Sequence, residues 1–533
     1  MVRMIAALVG ALAFSGLAPT LAQSQPLSPY ASAGQQQAAM TDGRATSEQL
    51  VAAYLERIER IDRSGPKLNA VIAVNRHALA DARRLDAERK AGKVRGPLHG
   101  VPILLKDNIE SADGTATTAG SLALAANVPQ REAPIVKRLT DAGAVILGKA
   151  NLSEWANFRS SRSISGWSGV GGLVRNPYSL DRTACGSSAG SGAAVAAGLA
   201  ALAIGTETDG SVVCPAAING VVGLKPTVGL VSRTHIVPIS PEQDTAGPMT
   251  RTVADAAALL GVIAGTDPLD PATRDADARK SNYLNALKRD ALKDARIGVW
   301  TPNKGRSVQA DVIFEDALKA LRAQGAVLVE IKGPEDATLA RIGELEGDCL
   351  RTEFKAAVNA YLASTPAAVR TRTLDDLIAF NKTEAGREMP LFAQEIFEDA
   401  AKRPAITDPG YLAKRDQART MSRAALDKML TGLDAIVAPG NAPAGIVDPV
   451  NGTRLFGPST TLSAVSGYPH LVVPAGYATG LPVAISFFGP AWSEAKLLAL
   501  GYAFEQATLA RREPEFLPNV AARPEIARAY DPR

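Results

Sequence analysis

Hydrophobic positions along the chain follow two different spacings, and their alternation predicts an α/β order of elements. Apolar residues recur at helical spacing over residues 47–61, 77–88, 252–264, 312–324 and 494–508. Short continuous apolar runs are typical of buried strands, and they occur at residues 68–74, 144–147, 221–224, 297–300, 327–331, 435–438, 471–473 and 483–488. Strands that alternate with helices in this way favour an α/β layer architecture.

Residues 183–227 differ from the rest of the chain, because two glycine-containing turns flank an Ala-rich apolar run. Residues 186–192 hold 3 glycines and 3 serines, residues 193–203 predict a buried helix, and Asp209-Gly210-Ser211 forms the second turn. Such small residues let several backbone N–H groups point into one space, which suits an anion or an oxyanion. A Gly/Ser linker is the alternative, but linkers are seldom followed at once by Ala-rich core. The pattern therefore favours a catalytic serine loop.

A single lysine, Lys106, interrupts the apolar run at residues 101–109. Burial lowers the pKa of a lysine, and a neutral lysine within reach of a hydroxyl can act as a general base. The alternative is a lysine that extends to solvent at a strand end and pairs with Asp107. With Ser187 in the first turn and Ser211 in the second, the residues favour a lysine base, a relay serine and a nucleophilic serine.

Composition narrows the classes of function. The 533 residues are 46% hydrophobic and 21% charged, as in a soluble globular enzyme, and the formal charge is only +4. No basic face with interleaved aromatic residues occurs, so no nucleic-acid partner is expected. Three cysteines are too few for a disulfide framework, and Cys185 and Cys214 are interpreted as small buried thiols. The four histidines show no zinc spacing, so we expect no metal and no cofactor.

Residues 1–22 have the pattern of a secretory signal peptide. Arg3 precedes an apolar stretch at residues 4–17, and Thr20-Leu21-Ala22 offers a small-residue cleavage site after Pro19. A transmembrane anchor is the alternative, but the stretch is short and no second one follows. We therefore expect a periplasmic or secreted protein that has no membrane association once the signal is removed.

Several motifs, in order and spacing, resemble the amidase signature family. They are Gly-Val-Pro-Ile-Leu-Leu-Lys-Asp-Asn (100–108), Cys-Gly-Ser-Ser-Ala-Gly-Ser (185–191), Gly-Thr-Glu-Thr-Asp-Gly-Ser (205–211) and Gly-Leu-Lys-Pro-Thr (223–227). Within that family, residues 151–158, 165–168, 212–215 and 243–249 look closest to bacterial peptide amidases, exported enzymes that hydrolyse the C-terminal carboxamide of peptides. The resemblance implies a single large domain at residues 47–515, in which helices cover both faces of a mixed central sheet. A helical cover is expected at about 337–430, an N-terminal segment at 23–46 and a tail at 516–533.

The resemblance also implies a role for each site residue. Lys106 would be the base, Ser187 the bridging hydroxyl on a cis peptide, and Ser211 the nucleophile that forms an acyl-enzyme. The backbone N–H groups of Thr208, Asp209, Gly210 and Ser211 would form the oxyanion hole. The loop would be supported by Ser188 and Ser191. Many members of the family have glycine at the positions of Cys185 and Ala189, and arginine at that of Val213, so the substrates of the wider family do not transfer to this chain.

Other interpretations remain open from the sequence. Residues 186–190 also fit the G-x-S-x-G elbow of α/β-hydrolases, with Ser188 as nucleophile and His235 or His470 as base, but Lys106 then has no role. The substrate is a peptide amide or a small aliphatic or aromatic amide, and the expected assembly is a monomer or a simple homo-oligomer. Two further alternatives are an exported ligand-binding protein and a subunit that supplies ammonia to charged transfer RNA.

Three side chains near the turns have two interpretations each. Trp155 and Trp167 are either core residues or contacts for the substrate. Asp209 either orients the substrate or caps its own turn.

Overall fold

The protein is described by a computed structural model that covers residues 27–302, 304–450 and 459–531. The predicted signal peptide at residues 1–22 lies outside the described residues. The strands of the described part are β1 (Val71–Val74), β2 (Pro102–Lys106), β3 (Val145–Ala150), β4 (Trp167–Ser168), β5 (Gly172–Leu173), β6 (Leu202–Glu207), β7 (Val222–Lys225), β8 (Thr245–Thr250), β9 (Arg296–Val299), β10 (Val327–Glu330), β11 (Ala435–Pro439), β12 (His470–Ala478) and β13 (Leu481–Phe488).

Helices connect and cover these strands. The α-helices are α1 (Ala33–Thr41), α2 (Ser47–Arg57), α3 (Ala78–Lys90), α4 (Pro134–Asp141), α5 (Ala189–Ala196), α6 (Val213–Ile218), α7 (Val253–Ile263), α8 (Ala276–Arg279), α9 (Val308–Ala323), α10 (Asp336–Ala363), α11 (Leu374–Thr383), α12 (Ala385–Glu388), α13 (Glu395–Ala401), α14 (Pro409–Met429), α15 (Thr461–Ser466), α16 (Glu494–Thr508) and α17 (Pro524–Tyr530). Short 3-10 or π turns occur at Ile58–Arg63, Leu122–Leu124, Glu154–Asn157, Pro271–Thr273, Leu284–Ala286 and Val520–Ala522.

In the described residues, one mixed sheet of eleven strands runs through the molecule in the order β1-β3-β2-β6-β8-β7-β12-β13-β11-β9-β10. Strand β2 lies between β3 and β6 and is parallel to both, so the carboxyl ends of β2 and β6 meet at one edge of the sheet. Lys106 is the last residue of β2, and the 208–211 turn directly follows β6. The parallel pairing therefore brings the lysine and the second serine turn together, where sites of open α/β sheets usually form.

The predicted α/β architecture, with a mixed sheet in one large domain, is confirmed. Thr46 caps α2 and forms a capping box with Gln49. Two details of the prediction are wrong. The helix expected at residues 193–203 begins at Ala189 and ends at Ala196, because Gly198 takes a left-handed φ of 67° and the chain then enters β6. Strand β8 was not predicted, since its small and polar residues lack a continuous apolar run.

The helices α10 to α14 occupy residues 336–429, and α10, α11 and α13 share an apolar core with Leu124, Trp155 and Val237. Phe354 of α10 stacks on Phe397 of α13, with ring centroids 5.1 Å apart. This helical layer contacts the serine turns through α10, so the sheet and the cover both contribute to the cavity described below. Among residues 27–302, 304–450 and 459–531, no helix has the length and hydropathy of a membrane-spanning segment.

Candidate active site

Lys106 lies completely inside the protein, with 0% of its surface exposed. Its Nζ donates hydrogen bonds to Ser187 Oγ at 2.7 Å, to Thr206 Oγ1 at 2.8 Å and to Thr206 O at 3.2 Å. Burial lowers the pKa of Lys106 to about 7, although the negative charges of Asp244 and Glu207 oppose this shift. The alternative of a solvent-exposed lysine is therefore wrong, and the side chain can exchange a proton near neutral pH.

The two residues after Lys106 face different partners. Asp107 Oδ2 accepts a hydrogen bond from the backbone N–H of Thr118 at 3.2 Å and another from its hydroxyl group. Asn108 Nδ2 donates to Thr206 Oγ1 at 3.0 Å. Asp107 thus stabilises the loop at residue 118, while Asn108 fixes the hydroxyl group that contacts the lysine.

Ser187 follows a cis peptide bond from Gly186, which confirms the conformation that the family resemblance implied. The backbone N–H of Ser153 donates to Ser187 O at 3.0 Å. A Cβ atom at Gly186 would lie 2.2 Å from Ser153 Oγ, so a larger residue does not fit here without displacing the neighbouring chain. Close packing against Ser153 therefore holds the Ser187 hydroxyl group towards Lys106.

Ser188 and Ser191 connect the first turn of α5 to strand β6. Ser188 Oγ donates to Thr206 O at 3.0 Å and accepts from Thr206 N at 3.1 Å. Ser191 Oγ donates to Ile204 O at 3.1 Å. Both serine side chains are thus engaged with backbone groups of the sheet.

The 208–211 turn places Ser211 beside the first serine loop. Gly210 has a φ of 80°, which glycine adopts without strain. Ser211 is 8% exposed, and its carbonyl oxygen accepts a hydrogen bond from Ser188 N at 3.0 Å. Glu207 Oε2 accepts from Val212 N at 2.7 Å and Val213 N at 3.0 Å, which fixes the chain after the turn.

A cavity of about 320 Å³, which we call the turn cavity, opens at the two turns. Its wall includes Gly186, Thr208, Asp209, Ser211, Phe158 and Leu350. A second cavity of about 220 Å³ adjoins it and shares Ala156, Thr208 and Ile239 with it. The wall of the second cavity includes Asn108 and Thr206, the two residues whose side chains meet beside Lys106. Together they offer a bound molecule more room than a small amide needs.

The two tryptophans are core residues in this structure. Trp155 is 2% exposed and packs edge-on against Phe397, with ring centroids 5.8 Å apart. Trp167 is 8% exposed and packs in the same way against Phe392 at 5.2 Å. Ala156 and Phe158, rather than the tryptophans, line the turn cavity among the described residues. The interpretation of both tryptophans as core residues therefore fits the structure better than substrate contact.

The histidines do not complete a G-x-S-x-G site. His470 is 0% exposed, its Nε2 lies 2.9 Å from Ser486 Oγ, and burial lowers its pKa to about 3. His235 lies 4.0 Å from a Glu110 oxygen. Since the Ser188 hydroxyl is bonded to Thr206 instead, the elbow interpretation has no base in contact with its serine among the described residues.

Cys185 and Cys214 form a disulfide bond, which corrects their interpretation as buried thiols. The bond joins the loop before Ser187 to the helix after Ser211, and both cysteines line the turn cavity. Cys349 is free and buried. This pair could not be recognised among three cysteines, because sequence spacing alone cannot show which residues lie together in the folded protein.

Several residues of the site were not predicted. Thr206 and Glu207 lie in the second serine motif, so the motif itself offered a signal for them. Gln243 and Glu346 contact each other at 2.7 Å, Gln243 Nε2 donating to Glu346 Oε1. Glu346 lies on a charged helix that carries no motif, and only the folded structure brings it to the turn.

The sequence matches the family model named Amidase over residues 49–498. A probable amidase of Arabidopsis thaliana is 40% identical over 489 residues, which cover 90% of both chains. The crystal structure of the native peptide amidase from Stenotrophomonas maltophilia is 49% identical, with a TM-score of 0.87 over 92% of this chain and 99% of that one. A glutamyl-tRNA(Gln) amidotransferase subunit of Halorhodospira halophila is 37% identical over 486 residues, 88% of this chain and 96% of that one.

The chain therefore belongs to the amidase signature family. It is an amidase, a hydrolase of amide bonds, and among solved structures it is similar to peptide amidases along almost its whole length.

Proposed function

We propose that this amidase releases ammonia from the C-terminal carboxamide of peptides through Lys106, Ser187 and Ser211. The observation that carries the proposal is the 2.7 Å hydrogen bond between Lys106 Nζ and Ser187 Oγ, deep in the protein and beside the turn of Ser211. A lysine with a pKa of about 7 is partly neutral at neutral pH, as a general base must be.

In the first half of the reaction, neutral Lys106 takes the hydroxyl proton of Ser187 as Ser187 takes that of Ser211. Ser211 Oγ then forms a bond with the carboxamide carbon, and the carbonyl electron pair moves onto oxygen. The N–H groups of Thr208, Asp209, Gly210 and Ser211 stabilise that oxyanion, which is where such donors contribute most. Ser187 passes the proton to the leaving nitrogen and regains its own proton from Lys106. The electron pair on the oxyanion re-forms the carbonyl as the C–N bond breaks, and ammonia departs.

In the second half, water attacks the ester on Ser211. The same serine and lysine accept the proton of the water and return it to Ser211 Oγ, so that the peptide leaves as a carboxylic acid. Each proton removed is returned within the cycle.

The substrate class rests on the size of the site and on similarity. The adjoining cavities of about 320 and 220 Å³ have room for residues of a peptide beyond the scissile amide. The similar structure from Stenotrophomonas maltophilia is of a peptide amidase, and another similar structure is of peptide amidase PAM with the competitive inhibitor chymostatin, at 49% identity. Small aliphatic or aromatic amides are the second candidate, because the same three residues would act on them. Membership in the family speaks against the alternative of a ligand-binding protein.

We further propose that the enzyme acts in the periplasm or outside the cell, on the strength of the signal pattern at residues 1–22. This location separates it from charged transfer RNA, so a role within an amidotransferase is not favoured despite the similarity to such proteins. We propose that it works on peptide amides with no nucleic-acid partner and no membrane association after removal of the signal, as a monomer or a simple homo-oligomer.

The test is ammonia release by the purified protein from an amidated dipeptide, from the same dipeptide with a free carboxyl end, and from small amides such as acetamide and benzamide. We expect ammonia from the amidated dipeptide with a kcat/KM at least ten times that for the small amides. The dipeptide with a free carboxyl end is the control for hydrolysis of the peptide bond itself, and it should remain intact. A higher kcat/KM for the small amides would instead support the second candidate.

A further inference from the structure

The carboxyl groups of Glu346 and Asp209 face each other beside the turn cavity, close enough for one to donate a hydrogen bond to the other. The buried Asp209 Oδ1 has no other hydrogen-bond partner among the described residues. Glu346 belongs to helix α10 of the cover and is 7% exposed, whereas Asp209 lies in the turn that precedes Ser211. Two carboxyl groups can form such a bond only if a proton lies between them, because ionised carboxylates are acceptors only. The contact therefore joins a protonated helix residue to the turn of the proposed nucleophile.

A second link runs from Glu346 to the same turn. Gln243 Nε2 donates to Glu346 Oε1 at 2.7 Å and to Thr208 O at 3.3 Å. Thr461 of α15 donates to Asp209 Oδ2 at 2.9 Å. Glu346 thus acts on the first two residues of the turn at once, directly on Asp209 and through Gln243 on Thr208.

We propose that Glu346 is a positioning residue, whose carboxyl group shares a proton with Asp209 and thereby holds the 208–211 turn in the geometry that stabilises the oxyanion. This inference rests on the proposed function, in which the N–H groups of that turn bind the oxyanion. Loss of the shared proton would leave two carboxylates in contact inside the protein, and their repulsion would displace the turn.

The surroundings of the pair favour the protonated state. Burial raises the pKa of Glu346 well above 4.5, and the neighbouring Asp209 raises it further. The negative charge of Glu353 on the same helix also raises the pKa of Glu346, while the positive charge of Lys225 opposes the rise in the pKa of Asp209. The neighbouring charged groups pair with residues other than Glu346 and Asp209. Lys414 and Arg403 pair with Asp348 of α10, and the further pairs are Arg351–Asp399, Arg415–Glu242, Arg419–Asp416 and Lys382–Glu398.

The test compares Glu346→Gln and Glu346→Ala with wild type in kcat, KM and their pH dependence, on whichever carboxamide the wild-type enzyme hydrolyses. Glutamine keeps a donor for Asp209 and an acceptor for Gln243 but cannot ionise. We expect the activity of wild type to fall at alkaline pH, and we expect Glu346→Gln to lose this fall while it keeps kcat within threefold at pH 7. Glu346→Ala should lose at least tenfold in kcat, with KM within threefold, because oxyanion donors act mainly in the transition state.

Glu344→Gln is the matched control, since Glu344 lies on the same helix, is 66% exposed and pairs with Arg341 at 2.7 Å. It should leave both kcat and the pH profile unchanged. If Glu346→Ala fails to fold, the pH profile of Glu346→Gln still decides the matter.

Three results would each overturn the inference. The first is a fall in activity at alkaline pH that is the same in wild type and Glu346→Gln, and the second is no such fall in wild type. The third is a Glu346→Ala variant in which only KM changes and kcat does not. Failure of the proposed function has a different signature, namely activity that survives Ser211→Ala.

Discussion

The buried lysine makes a prediction that links stability to pH. Its pKa is about 7 in the folded protein and about 10.5 in the unfolded chain, so between these values the unfolded chain holds a proton that the folded protein lacks. The destabilising effect of burying Lys106 is therefore complete below pH 7 and declines as the pH rises towards 10.5. The contribution of Lys106 therefore makes the free energy of unfolding increase with pH between pH 7 and pH 10.5.

The size of the effect follows from the shift. Each unit of difference in pKa corresponds to about 1.4 kcal/mol, and integration between pH 7 and pH 9 gives about 2 kcal/mol. Lys106→Met removes the titrating group but keeps a side chain of similar length. We expect the free energy of unfolding of wild type, relative to Lys106→Met, to rise by about 2 kcal/mol from pH 7 to pH 9.

The assay is urea-induced unfolding of both proteins at pH 7, 8 and 9, followed by tryptophan fluorescence. Comparison with the variant cancels the titration of groups that the two proteins share. A difference in unfolding free energy that stays constant across these pH values would refute the depressed pKa. The same pKa predicts that wild-type kcat/KM falls about tenfold between pH 8 and pH 6, as Lys106 gains its proton.

Three further substitutions test the packing around the site. Replacing both Cys185 and Cys214 with serine should lower the free energy of unfolding by about 3 to 4 kcal/mol, from the loop that the disulfide closes, and a reductant should then have no further effect in thermal unfolding. Gly186→Ala, whose Cβ would lie 2.2 Å from Ser153 Oγ, should cost about 1–3 kcal/mol in urea unfolding and reduce kcat, whereas an unchanged Tm and kcat would contradict the packing described. Trp155→Ala should destabilise the protein by about 3–5 kcal/mol, with little change in KM in steady-state assays, and a large rise in KM without loss of stability would restore its role in substrate binding.

Much of the site could be predicted because its residues break the local pattern of the chain. A lysine inside an apolar run is unusual, because burial of an unpaired charge costs free energy. The two glycine turns contain several serines, which a core helix does not require. These signals lie within short segments, and they point to Lys106, Ser187 and Ser211 from the amino-acid sequence alone. The α/β alternation is equally local, and it indicates the fold class.

What could not be predicted depends on contacts between distant segments. Glu346 is one of many charged residues on an amphipathic helix, and nothing in its neighbourhood distinguishes it from a solvent-exposed glutamate until α10 packs on the turn. Strand β8 is buried by neighbours on both sides rather than by apolar side chains of its own, so periodicity did not reveal it. The pairing of Cys185 with Cys214 likewise follows from the meeting of the two serine loops.

The measurement that tests the central claim most directly is ammonia release from an amidated dipeptide by wild type, Ser211→Ala, Ser188→Ala and His470→Ala, with circular dichroism to confirm that each variant is folded. The account predicts that Ser211→Ala loses activity by a factor of roughly 10⁴ to 10⁶, as when serine hydrolases lose their nucleophile, while the other two variants keep measurable turnover. Turnover by Ser211→Ala, together with its loss in Ser188→Ala or His470→Ala, would contradict the assignment of Ser211 as the nucleophile.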